Sequence, residues 1–307
     1  MPSLEAESAR TQTDLPFFTW NDANGPNSAF AKLLQACGAE SVKNIVLDET
    51  MRADFAGLVQ DALPGAKRQF TATTIGALRM TKDMDEYHKL KRNAIFADTA
   101  MKSAWSKMKI GMSELEVAKI ISDCFKSQDV TPLFTIIGTG RNGAMPHHQT
   151  GAANLQKGDA VVMDIGGGKD GYSSDITRMA VISSPPEGYA EVHAVVEAAV
   201  QAAMFAAKPG VKAHTVDDAA RRVITHAGYG EYFMHRTGHG MGVEIHETPY
   251  ISATSQTILE EGMVFSIEPG IYLPNRFGIR LEDIVILRAD GPEILSNLPR
   301  DLEIING

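Results

Sequence analysis

Cysteine is nearly absent from this chain: Cys37 and Cys124 are the only two in 307 residues. Neither sits in a pair with metal-ligand spacing, so both read as structural thiols. So few thiols in a chain this long point to a reducing compartment, and the cytoplasm is the expected location. No apolar run approaches the roughly 20 residues that span a bilayer, so no membrane partner is expected. The opening MPSLEAESAR has no basic segment leading into a hydrophobic one, and no signal peptide is read there. An excess of positive charge is also lacking. The net charge of -9 argues against non-specific nucleic-acid binding, which needs a basic face. No glycine-rich loop has the dinucleotide or phosphate pattern; Gly166-Gly167-Gly168 follows a strand but is read as opening a turn. No internal repeat or low-complexity tract is visible. What remains is ordinary for a globular protein, 44% hydrophobic and 22% charged, with length enough for one large core or two unequal domains.

Residues 1 to 78 read as a small α/β segment. Ser28 to Ala36 has helical apolar spacing, Asn44 to Leu47 reads as a short strand, and Met51 to Leu63 reads as a helix closed by Pro64-Gly65. A long charged amphipathic helix is expected over about 80 to 110, its basic residues forming a solvated face. A second helix is expected after Ser113, with Glu116 at the capping-box position. Leu133 to Ile137, Ala160 to Ile165 and Thr177 to Ile182 read as strands; Pro186 to Ala207 and Thr215 to Ala227 read as helices. Residues 230 to 300 return to strand and loop. Strand runs interrupted by paired helices predict an α+β sheet domain rather than a doubly wound one.

Chemistry is concentrated in a few places. AVVMDIGGG, MVFSIEPGIY and GIRLEDIVIL are apolar runs that end in, or are broken by, Asp164, Glu268 and Glu282. A carboxylate in such a run should be buried, and an unpaired buried charge costs several kcal/mol or is neutralised. Asp175 lies eleven positions after Asp164. A hairpin through Gly166 to Gly171 would bring the two face to face, which needs a shared proton or a cation between them; capping of turns is the alternative. In a strand Arg280 and Glu282 share a face, as partners in a site or equally as a surface ion pair. His235, His239 and His246 cluster with Gly238, Gly240 and Gly242, where glycine permits close approach. His147 and His148 form a loop pair in MPHHQTG. Four carboxylates and an imidazole ask for a dinuclear cation site. The charge of two divalent ions is balanced by the four acids. Such an oxygen-rich set suits Mn²⁺, Co²⁺, Fe²⁺ or Zn²⁺.

In this order and these contexts, Asp164, Asp175, His239, Glu268 and Glu282 resemble the ligands of the pita-bread metallopeptidases, which include methionine aminopeptidases, Xaa-Pro aminopeptidases and prolidases. The resemblance covers about residues 80 to 300, and 1 to 80 more loosely. It implies an α+β, pseudo-symmetric catalytic domain over 79–307 with a curved antiparallel sheet holding two metal ions, Mn²⁺ first. It also implies a small, truncated N-terminal α/β domain over 1–78. The residues matching Asp175 and Glu282 bridge the ions, that matching Asp164 binds one, and that matching His239 the other. The residue matching Glu268 is a ligand that also contacts the nucleophilic water. Pro269-Gly270-Ile271-Tyr272 after Glu268, and Arg280 before Leu281-Glu282, resemble the proline-specific branch. HRTGHGMGVEIHETP and the PHH at Pro146 to His148 are similar to prokaryotic Xaa-Pro dipeptidases. There His147, His235, His246 and Arg280 match positions lining the substrate pocket, with Glu268, His147 and His246 acting in catalysis. The implied reaction is hydrolysis between an N-terminal residue and proline, by a dipeptidase or, second, an aminopeptidase. The implied partners are a peptide or dipeptide with proline at its second position and a second copy in a homodimer. A methionine aminopeptidase and a non-catalytic peptide-binding member of the fold are the alternatives.

Overall fold

The computed structural model describes residues 1–306. They divide into two compact units, Met1–Gly76 and Ala77–Gly307. In the first, strands Asn44–Leu47 and Lys67–Phe70 pair in parallel. Parallel strands need a crossover, which helix Ala53–Ala62 provides. Leu47, Val59 and Leu63 form its small core, with Phe30, Leu34 and Ile45 packed on it.

The second unit repeats one plan twice: a pair of packed helices, then strands. The first pair is Met84–Lys107 and Glu114–Ser127. Each begins at a capping box, in which Asp83 and Ser113 accept from the N–H of Glu86 and Glu116 while those acids reach back. The second pair is Tyr189–Ala206 and Ala213–His226. The first sheet runs in the order Glu303–Ile305, Ile176–Ile182, Ala160–Lys169, Thr131–Thr139, and is antiparallel except for its parallel C-terminal edge strand. The second runs Gly291–Ile294, Asp283–Arg288, Val264–Ile267, Gly238–Gly240, Glu247–Ile251, all antiparallel. A hairpin, Gly270–Leu273 with Phe277–Arg280, stands apart.

Alternation along Ala160–Lys169 divides the interior. Val161, Met163 and Ile165 pack with the first helix pair, whereas Ala160 and Val162 pack with the second. Asp164 continues the face of Ala160 and Val162. It therefore lies mid-strand, on the face turned toward the second helix pair.

The three glycines correct the expected turn. Gly166, Gly167 and Gly168 continue the strand, and the reversal comes at Asp170 and Gly171, with φ of 56° and 79°. The reason is steric. A Cβ on Gly166 would lie 2.1 Å from Phe134 Cε1 and 2.5 Å from Ser174 O, and one on Gly167 2.8 Å from Phe125 Cε1. These glycines make room for aromatic neighbours, and strand hydrogen bonding runs on through them. The expected helices also start a little late or early: Tyr189 rather than Pro186, and Ala213 rather than Thr215.

Candidate metal centre

The sheets bring distant acids to one place. Asp164 pairs with Thr177 across the hairpin. Asp175, two residues before Thr177, therefore emerges on the same face. Glu282 reaches it from the link between Phe277–Arg280 and Asp283–Arg288, its N–H donating to Thr177 O at 3.2 Å. Thr177 Oγ1 in turn donates to Glu282 Oε2 at 2.7 Å. Glu268 follows the strand Val264–Ile267, and its N–H donates to Thr237 O at 2.8 Å. Thr237 is held from the helix Ala213–His226, where buried Asp217 accepts from its N–H and Oγ1 at 2.9 and 2.8 Å.

His239 sits in a strand too tight for side chains on either side of it. A Cβ on Gly238 would meet Ser266 O at 1.9 Å, and one on Gly240 would meet Thr248 O at 2.2 Å. The imidazole is 3% exposed. Its Nδ1 lies 3.1 Å from Gly240 O. A carbonyl only accepts, so Nδ1 carries the proton and Nε2 a lone pair. That lone pair faces Glu268 Oε1 at 3.3 Å and Asp175 Oδ2 at 3.7 Å. Burial, then the nearby His246, lowers its pKa to about 3, so no imidazolium supplies the missing charge.

The carboxylates are equally unsupported. Asp164 Oδ1, Asp175 Oδ1 and Glu282 Oε1 are buried with no hydrogen-bond partner among the described residues. Burial, then the charges of Glu282, Asp164 and Glu268, pushes the Asp175 carboxyl well above its ordinary range. Burial, then Glu268 and Asp164, does the same to Glu282. Burial outweighs the opposing charge of Arg280 and raises Glu268 to about 7. Ligand atoms of Asp175, His239 and Glu282 lie within 4.8 Å of one another. Acceptor-only oxygens and an acceptor nitrogen, clustered and out of water, fit divalent cations that take oxygen and imidazole ligands.

Arg280 is 3% exposed and heavily committed. Its Nη2 donates to Asp164 Oδ2 at 2.5 Å, Nε to Thr177 Oγ1 at 3.1 Å, and Nη1 to Tyr272 OH at 2.8 Å and Pro146 O at 3.2 Å. Tyr272 passes the chain on to His235 Nε2 at 2.8 Å, while His235 Nδ1 donates to Arg236 O at 2.8 Å. Burial, then the charge of Arg280, lowers His235 to about 4, which keeps it neutral.

These residues line a cavity of about 800 Å³, a size suited to a small ligand. Asp164, Asp175, His235, His239, Glu268, Arg280 and Glu282 all border it, as do His147 and His246. The rings of His246 and His239 meet edge to face, with centroids 4.2 Å apart. The loop pair divides: His147 faces the cavity, whereas His148 Nε2 lies 2.8 Å from Glu114 Oε2. Fully buried Glu114 also accepts from Thr139 N, Asn142 Nδ2 and Gly151 N, each at 2.9 Å. These bonds outweigh the effect of burial and keep it below its usual pKa.

Several supporting residues escaped the sequence reading. Thr177 and Ser266 orient Glu282, Glu268 or Arg280, yet each reads as an ordinary strand residue, and Tyr272 stood out only as part of the segment after Glu268. Arg236 also borders the cavity, and its one signal was its place beside the histidine cluster.

The profile of metallopeptidase family M24 matches residues 88–289. The chain is 37% identical over 311 residues to "Probable dipeptidase PepE" of Mycobacterium tuberculosis, covering 99% of this chain and 82% of that protein. The crystal structure of a recombinant prolidase from Thermococcus sibiricus superposes with a TM-score of 0.91 at 36% identity, covering 99% of this chain and 83% of the other. That of X-Pro aminopeptidase from Thermotoga maritima gives 0.81 at 32% identity, covering 99% and 86%. The matched segment contains all the converging acids and His239, and the likeness to the solved structures extends over both units: the chain is a member of metallopeptidase family M24, with the α+β pita-bread fold.

Proposed function

We propose that this chain is a dinuclear-metal Xaa-Pro dipeptidase that uses Mn²⁺. The observation carrying the reading is three carboxylate oxygens, of Asp164, Asp175 and Glu282, without a partner among the described residues and gathered with the His239 lone pair beside a peptide-sized cavity. Proline specificity draws on the Pro269 to Tyr272 and Arg280 contexts and on the similarity to prolidases. Asp164, Asp175, His239, Glu268 and Glu282 would hold the two ions. When bound, these would polarise the scissile carbonyl and acidify a water.

The remaining steps belong to the chain. Glu268, steadied by Ser266 Oγ at 3.0 Å, accepts the proton of the attacking water. The water oxygen adds to the carbonyl carbon, and His246 donates to the carbonyl oxygen as charge develops there. The C–N bond then breaks. Glu268 returns its proton to the leaving proline nitrogen, which has no hydrogen of its own in the peptide. His147 orients the substrate from the loop. His235, with both ring nitrogens engaged, contributes a ring wall. Arg280 holds the ligand shell in register, since it is tied to Asp164, Thr177 and Tyr272. A cytoplasmic homodimer completes the proposal; gel filtration with light scattering tests the dimer.

The nearest rival is an Xaa-Pro aminopeptidase, favoured by the likeness to the Thermotoga maritima structure. Chelator-stripped protein reloaded with Mn²⁺ would be assayed on Ala-Pro, Ala-Pro-Ala and Ala-Ala. Cleavage of Ala-Pro alone is expected. Cleavage of the tripeptide would favour the aminopeptidase. Equal cleavage of Ala-Ala, or none of any substrate, would reject proline specificity.

A further inference from the structure

Among the described residues, two arginines and no lysine line the cavity. A dipeptide brings a free carboxylate into the site one residue beyond the scissile bond, and that charge needs a cation. Arg280 is the deeper of the two, but four hydrogen bonds hold it. Turning it toward a substrate would strand Asp164, its ion-pair partner at 2.5 Å.

Arg236 is placed differently. It is half-buried and borders the same cavity. Among the described residues no carboxylate pairs with its guanidinium and no acceptor takes its side-chain N–H groups. Its one fixed contact is the ring of Tyr250, with the guanidinium carbon 4.6 Å from the centroid. Tyr250 also lines the cavity. Stacking of this kind holds the guanidinium plane while its N–H edge stays available for a bidentate carboxylate. Arg236 also shares this cavity with the reacting end, since His239, His246 and Glu268 line it too. One extended residue advances the chain by about 3.5 Å, so a carboxylate one residue past the attacked carbonyl stays near those groups.

We propose that Arg236, braced on Tyr250, binds the free C-terminal carboxylate of a dipeptide substrate and sets the preference of the site for dipeptides. This rests on the Xaa-Pro reading above. The occupant is thus a two-residue peptide ending in a carboxylate, with the acyl carbonyl at the acid cluster and its anionic end on Arg236.

The test compares Ala-Pro with its C-terminal amide, Ala-prolinamide, on Mn²⁺-loaded wild type, Arg236→Ala and Arg236→Lys. Losing a charge-assisted contact should raise KM for Ala-Pro about ten- to a hundredfold in Arg236→Ala. The amide, which has no anion to lose, should change by less than about threefold. Its turnover also reports that the variant is folded. Arg236→Lys should recover part of the Ala-Pro loss, because charge returns without the planar fork. If Arg236→Ala weakens both substrates alike, or neither, the proposal is overturned while the Xaa-Pro reading stands. If wild type cleaves neither substrate, the Xaa-Pro reading fails and takes the proposal with it.

Discussion

Stripping the metal should make stability fall with pH above neutrality, and reloading it should abolish that fall. Without metal, burial and mutual repulsion hold Asp175 and Glu282 well above ordinary carboxyl values, and Glu268 rises to about 7. A carboxyl with a raised folded pKa binds more protons folded than unfolded. Its contribution therefore shrinks as pH climbs from the unfolded toward the folded pKa. The buried histidines have the opposite sign. His235 at about 4 and His239 at about 3 favour the folded state increasingly as pH rises toward the unfolded value of about 6.5. Above about pH 7 these histidines are neutral in both states, so they no longer offset the carboxyl slope. Each carboxyl still protonated in the folded state then loses about 1.4 kcal/mol per pH unit. In a chain of this size that is a drop of about 2–4 °C in Tm per pH unit and per carboxyl. Thermal unfolding of chelated protein between about pH 7 and pH 8.5 reads this slope directly. With saturating Mn²⁺ the ligands stay deprotonated, so Tm should be higher and the slope should vanish. A chelated Tm that is flat or rising over this interval would refute the argument that these acids share a site lacking its counter-charge.

Three further outcomes are expected. Glu268→Gln keeps the shape of the side chain but not its basicity, so kcat on Ala-Pro should fall about 10²- to 10⁴-fold while native mass spectrometry still finds bound metal; near-normal turnover would remove Glu268 as the base. Gly238→Ala drives a Cβ to within 1.9 Å of Ser266 O, a backbone atom that cannot swing aside. It should cost about 1–3 kcal/mol or more and lower metal occupancy, and an unchanged Tm would contradict the strand spacing. Arg280→Met deprives Asp164 and Tyr272 of a buried donor, so calorimetry should show a loss of about 3–5 kcal/mol; a loss under about 1 kcal/mol would mean that the pair is open to water.

The gathering of buried acids was legible because burial of charge leaves a mark on sequence. Asp164, Glu268 and Glu282 interrupt apolar runs, where an unpaired charge costs several kcal/mol or is neutralised. Both capping boxes were legible too, since they depend on residues three apart. Gly166 to Gly168 misled, because glycine signals a turn and a close approach equally well, and the deciding atoms, on Phe134 and Phe125, lie more than thirty residues upstream. The commitments of Arg280 were hidden for a similar reason. Its partners Asp164 and Thr177 are over one hundred residues away in sequence, so its role as substrate contact or shell support stayed open. The buried chain in which Asp283 joins Arg178 at 2.6 Å and Arg300 at 2.5 Å left no local pattern at all.

Glu114 has a mechanical consequence. It is the first residue of its helix, yet its carboxylate clasps donors from Thr139, Asn142, His148 and Gly151. The loop bearing His147 is thus buttoned to a helix end through one acid. A fastening of this kind should release as a unit: amide exchange at Thr139 and Gly151 would accelerate together on losing Glu114, and the wall carrying His147 would loosen with them, even with the sheet ladders intact.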